Sequence, residues 1–245
     1  GLKRRLLASP LVDVAASCLT RMLPRRAGDL AIAMFHRAPD AGRFGAQLDA
    51  LHDHAEPVTG RAVLAALDGG VALPRRAVWI TFDDAYRSFR DVAWPVLEGR
   101  GLAATLFVPT AFPGSGVHFW WERLAAAFAT TAVRSALLVQ DDGLRDSPLA
   151  TPAQRKRALE RARAAVKARA HEDGMALVEE LLAFLGGEAP EAAAGSLNWN
   201  ELRSLAARGV EFGCHTRNHP MLDRVAPDTA REEIRAGYRD LEREG

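Results

Sequence analysis

Four short runs rich in apolar, β-branched and aromatic residues, at 30–35, 77–82, 103–108 and 210–214, constrain this chain more than any other feature. Near-continuous apolarity, as opposed to alternation, is what a parallel strand covered on both faces requires. Helical patterns lie between the runs. Residues 44–54 precede a turn-like Glu56-Pro57, and residues 86–100 end in Gly99 and Gly101, which suit a helix C-terminus. Residues 199–208 close on Gly209, one position before the next run. Strand and helix alternating at this spacing mean a parallel sheet or barrel, so the expected class is α/β.

From about 113 to 196 that rhythm breaks. The stretch is rich in Ala, Arg and Glu, and Thr151-Pro152-Ala153-Gln154 reads as a capping box with Pro at the first helical position. A second amphipathic stretch, 175–185, stops at Gly186-Gly187, and 190–195 reads as the returning linker. The segment 113–196 is therefore expected to be a helical insertion in a domain spanning 29–245. Residues 1–28 are expected to be a helical segment that packs on the domain or touches a membrane surface. A capping box at Thr229-Ala230-Arg231-Glu232 is expected to open the last helix.

At 245 residues the chain can bury a substantial core, and a formal net charge of +1 gives no argument for nucleic acid as a partner. Clusters at Lys3-Arg5, Arg25-Arg26 and Arg155-Arg157 read as solvated helix faces. Two cysteines, Cys18 and Cys214, form neither a disulfide framework nor a CxxC knuckle. No clean signal peptide or membrane-spanning run is visible, which leaves cytoplasmic and envelope-associated locations both open. Starting at Gly1 and stopping just past a helical stretch, the chain reads as a piece of a longer protein.

Two motifs carry chemistry. Thr81-Phe82-Asp83-Asp84 ends a predicted strand, the level at which parallel α/β folds place active sites. Adjacent carboxylates in a dry cleft need a positive partner, and a metal is the usual one; Asp84 could instead cap the next helix. His215-Thr216-Arg217-Asn218-His219-Pro220 follows another strand, and two histidines four apart converge on one ion if the segment forms a helical turn. A lone histidine, by contrast, is more often structural. Two His and one carboxylate make a recurring ligand set for catalytic zinc.

These motifs resemble those of the NodB-like polysaccharide deacetylases, carbohydrate esterase family 4, whose second motif is written H-[S/T]-x-x-H-P. Ala103-Ala104-Thr105-Leu106-Phe107-Val108 resembles the family's "ATFFV" strand, and the likeness spans about residues 30–110 and 197–245. The resemblance implies a deformed (β/α) barrel and metal-dependent deacetylation of an N- or O-acetylated polysaccharide. It also implies Asp83 as general base, Asp84, His215 and His219 as ligands of a divalent metal, most naturally Zn2+, and Thr216 as a contact to the loop or the acetate. Phe35-His36 resembles the early Tyr-His segment of permuted exopolysaccharide deacetylases, which implies His36 as the acid. A core histidine bonded to backbone is the alternative.

Ala85 stands where the family's first motif usually has Gly, a substitution that costs about 1 kcal/mol if the turn needs φ > 0. The family's Pro-aromatic-Gly third motif has no counterpart, so the expected barrel is C-terminally incomplete, short of the eight or so strands closure takes. His118 with Trp120-Trp121-Glu122 reads either as a sugar subsite or as an anchor for the insertion, and His52, His54 and His171 as solvent-facing. A carbohydrate-binding pseudoenzyme on this scaffold and another metal-dependent amidase are the competing functions.

Overall fold

The computed structural model describes residues 29–38, 40–140, 143–186 and 195–244. The expected N-terminal segment 1–28, with Cys18 and two of the basic clusters, lies outside the described residues, as does most of the linker 190–195. The elements run β1 (Leu30–Phe35), α1 (Ala41–His52), β2 (Glu56–Val58), α2 (Gly60–Leu67), β3 (Ala77–Asp83) and α3 (Trp94–Glu98), the last entered through a π-turn at Phe89–Ala93. They continue with β4 (Thr105–Val108), α4 (Trp120–Thr130), β5 (Ser135–Gln140), β6 (Gly143–Pro148), α5 (Pro152–Lys167) and α6 (His171–Leu185). The chain closes with α7 (Trp199–Ala206), β7 (Glu211–Cys214) and α8 (Pro227–Glu244).

The expected α/β class is what the chain adopts. β1, β3, β4 and β7 lie side by side in that order, all parallel, and helices connect them. β1 takes one edge of β3 over Ala77–Phe82, while β2 and β4 share the other edge in tandem. Among the described residues these five strands form an open sheet.

Burial on both faces holds for β3 and β4 but not for the outer strands. Ile32 and Met34 on β1 are 58% and 61% exposed, and every residue of β7 is half-buried. Both strands stand at the ends of the sheet, where a neighbour covers one edge only. Apolar runs thus located the strands without reporting their cover. Glu56-Pro57, read as a turn, instead opens β2; a three-residue strand is too short to leave a periodic signal.

The core under the sheet is aromatic at its centre. Phe82, fully buried, stacks on Phe35 at 5.1 Å and meets Phe44 and Phe89 edge-on at 5.7 and 4.9 Å. Ile80, Leu97, Leu106, Leu197 and Leu205 complete it. The inserted segment has a separate core built from Leu124, Phe128, Ala158, Val166, Val178 and Leu185. It is not purely helical, because β5 and β6 pair as an antiparallel hairpin between α4 and α5. The Thr151–Gln154 capping box forms as expected. The box at Thr229 does not, since α8 begins at Pro227, whose fixed φ suits the first helical turn.

α8 lies against β7 and the loop after it. Gly237 permits that approach, because a Cβ there would come within 2.7 Å of the Thr216 carbonyl carbon. One turn on, buried Asp240 accepts a 2.9 Å hydrogen bond from the Thr110 hydroxyl and pairs with Arg243 and Arg217. Burial acts to raise its pKa, but Thr110 and the two arginines outweigh burial and leave it below the usual value. A depressed carboxyl stabilises the fold above its unfolded pKa, and the contribution is lost as pH falls through the folded value. Asp240→Ala is expected to cost about 1–3 kcal/mol at pH 7 by stranding the Thr110 hydroxyl. The ionic part of that cost should shrink as pH falls through the lowered folded pKa, as urea unfolding across an acidic pH series would show.

Candidate metal centre and active site

The site begins where β3 ends. Asp83 is the last strand residue, paired with Phe107. Asp84 and Ala85 then reverse the chain with φ of 71° and 50°, a left-handed pair of non-glycine residues. The turn for which Gly is usual is therefore made here by a fully buried Ala85. The segment returning from the insertion pins it, with Leu197 N donating to Ala85 O at 2.8 Å and Ser196 Oγ to Asp84 O at 3.4 Å. Asp84 does not cap a helix.

The second motif leaves β7 as a clamped loop, not as the helical turn expected. Its backbone is left-handed at Thr216 (φ 63°) and at His219 (φ 55°). His215 N bonds Val108 O at 2.9 Å, and the carbonyls of Thr216 and Arg217 accept from Thr110 and Ala111 N at 3.2 and 3.0 Å. From the other side the Glu233 carboxylate on α8 takes the Arg217 and Asn218 amides at 3.1 and 2.8 Å. Thr216 Oγ1 accepts from His219 N at 3.1 Å and so shapes the loop from within.

These two loops bring the expected trio together. Asp84 Oδ1 lies 3.2 Å from His219 Nε2 and 3.7 Å from His215 Nε2. One potential ligand atom from each residue falls within 4.8 Å of the others. Asp84 is 1% exposed, and its Oδ1 has no hydrogen-bond partner. An unsatisfied buried carboxylate oxygen is costly, and a cation between it and two imidazoles would satisfy it. Burial, and then the neighbouring His219, push the His215 pKa down, which favours the neutral ring that can act as a ligand. The residues present therefore fit a divalent metal.

Asp83 sits beside the trio. Burial raises its carboxyl above the usual range, with Asp84 adding to the rise and His215 and His36 opposing it. His36, half-exposed at the end of β1, places Nε2 3.9 Å from Asp83 Oδ2. The β1–β3 register, which pairs Phe35 with Phe82, is what brings them to one level. His36 is thus no core histidine.

The insertion supplies a wall for this site. Trp121 and Phe119 stack at 4.5 Å and present their edges to the His219 ring at 5.1 and 5.4 Å, and Trp121 Nε1 donates to the Tyr86 hydroxyl at 3.2 Å. Trp120 packs into the insertion's own core and Trp121 packs against that core, so both serve as anchors, and both also line the cavity beside Asp84. His171, expected in solvent, is half-buried, and its Nδ1 accepts from Met221 N at 3.4 Å. Sequence reasoning missed it because its partner lies 50 residues away. Trp121→Ala and His171→Ala are each expected to weaken divalent-ion binding about ten-fold by loosening His219. Metal titration, with unfolding curves to confirm the fold, checks this.

A family model described as polysaccharide deacetylase matches residues 70–243, a span holding both motifs and the insertion. Among curated proteins none matches. Similar solved structures include the Streptococcus pyogenes deacetylase PplD in complex with acetate, at 18% identity and TM-score 0.48 over 89% of this chain and 70% of that one. Others are IcaB from Ammonifex degensii, 19% identical with TM-score 0.35 over 74% and 98%, and the BpsB deacetylase domain from Bordetella bronchiseptica, 14% identical with TM-score 0.43 over 87% and 72%. With the family match covering well over half of the sequence, this chain belongs to the polysaccharide deacetylase family.

Proposed function

We propose that this chain hydrolyses acetyl groups from a polysaccharide with the help of a divalent metal held by Asp84, His215 and His219. The observation that carries the metal is the orphaned Asp84 Oδ1, buried and facing two imidazole nitrogens. Two nitrogens and one carboxylate oxygen, with positions left open, suit zinc. When bound, such an ion supplies Lewis acidity toward an acyl oxygen and acidifies water.

The chain's own residues divide the rest. Asp83 accepts the proton of the attacking water, and its burial-raised pKa moves it toward the working range of a general base. His36, across from it and open to solvent, gives a proton to the departing nitrogen as the C–N bond breaks. Thr216 uses its oxygen on His219 N and retains a hydroxyl hydrogen for the acyl group. For an O-acetyl ester the same residues serve, with an alcohol leaving in place of an amine.

Asp83→Asn is expected to retain metal but lower kcat on an N-acetylated oligosaccharide by about 10²–10⁴. Asp84→Ala and His219→Ala should instead lose the metal itself. Elemental analysis together with acetate release separates the cases. Equal activity before and after exhaustive chelation, or an active Asp83→Asn, would remove this reading, and sugar binding without acetate release would favour a binding module.

A further inference from the structure

The cavity beside Asp84 and His219 has a wall that the deacetylation chemistry does not use. It encloses about 500 Å³, a volume typical of small-molecule sites. Three cations line it: Arg37 after β1, and Arg163 and Lys167 on α5. The latter two are four residues apart, so they share one helix face.

The three are not equivalent. Arg37 is engaged by Glu122, and its guanidinium lies 3.8 Å from the centre of the Tyr86 ring. Arg163 is half-buried, donates from Nη2 to the Trp121 carbonyl at 2.7 Å, and keeps a buried Nε with no partner. Glu160 acts on it from a distance without forming an ion pair. Lys167 is exposed, and among the described residues it too has no ion pair.

Burial pushes the Arg163 pKa down, the mark of a cation taken from water without a counter-ion. A guanidinium remains charged all the same. Of the carboxylates near the cavity, Glu122 is matched by Arg37, and Asp84 faces the metal position, so the surplus on the α5 wall is positive. A net charge of +1 over the whole chain hides this local excess.

Resting on the deacetylase reading above, we propose that Arg163 and Lys167 form a subsite for an anionic substituent, a carboxylate or a phosphate, on the sugar next to the acetylated one. The substrate is then an acidic glycan. A planar guanidinium on the cavity lining, with no carboxylate paired to it among the described residues and seconded by an ammonium one turn away, matches the oxygens of either group. The insertion, which supplies both residues, is on this account the element that selects the polymer.

The test is equilibrium binding to the full chain of three N-acetylhexosamine tetrasaccharides, one neutral, one alternating with hexuronate and one phosphorylated. At least one acidic oligomer is expected to bind about ten-fold tighter than the neutral one, with the advantage shrinking as salt rises. Whichever acidic oligomer gains identifies the anion. Lys167→Gln and Arg163→Gln should each reduce the acidic-to-neutral ratio; Lys167 is exposed, so its variant remains informative if Arg163→Gln fails to fold. Equal affinity for all three oligomers, or a preference that survives both substitutions, overturns the proposal. Metal content and acetate release on the same protein report separately on the deacetylase reading, because charge preference in binding requires neither.

Discussion

A carboxylate oxygen buried between two imidazoles organises this molecule. Asp84 Oδ1 has no hydrogen-bond donor and almost no access to water, yet it stands within 4 Å of the Nε2 atoms of His215 and His219. To hold it there, the chain accepts four non-glycine residues with positive φ, at Asp84, Ala85, Thr216 and His219. Such backbone costs about 1–3 kcal/mol per residue and persists only where its surroundings over-determine it. The surroundings do so: Leu197 and Ser196 pin the first turn, while Thr110, Ala111 and Glu233 clamp the second.

The same contacts explain why the sheet and the insertion behave as one site. The sheet brings Asp83, Asp84 and His215 to one level through the β3–β4–β7 registers. Fixing His219 takes more, because it lies five residues past the end of β7 at Cys214. Phe119 and Trp121 at the start of the insertion press on its ring, and His171 holds the backbone just beyond it. A segment with its own hydrophobic core therefore reaches His219 of the trio through a few aromatic and polar contacts. Its basic residues Arg163 and Lys167 border the same cavity as Asp84 and His219, so the trio and that cationic wall share one packing surface.

Much of this was legible in the chain. Apolar runs located four of the five sheet strands, and β1 runs over the six residues expected. The two motifs supplied the trio and Asp83, and the separate Phe35-His36 segment supplied the histidine beside them, because metal ligation and proton transfer call for particular residue types at strand ends. Less legible were features set by distant partners. The exposed outer faces of β1, the three-residue β2, the hairpin inside the insertion, His171 and the two histidines' convergence through a left-handed loop all belong in that group.

What the sequence by itself determined is the local chemistry: which residues can ligate, accept or donate a proton, and where short apolar strands must run. Those properties belong to side-chain type and to periods of a few residues, so they survive without knowledge of the fold. Only the tertiary structure decided how these groups face one another. Arg163 and Lys167 look like ordinary helix-surface charge in the chain, and their place beside Asp84 follows from α5 packing on α4, where Arg163 bonds the Trp121 carbonyl. Charge acts through space over several ångströms, whereas sequence spacing records only distance along the chain.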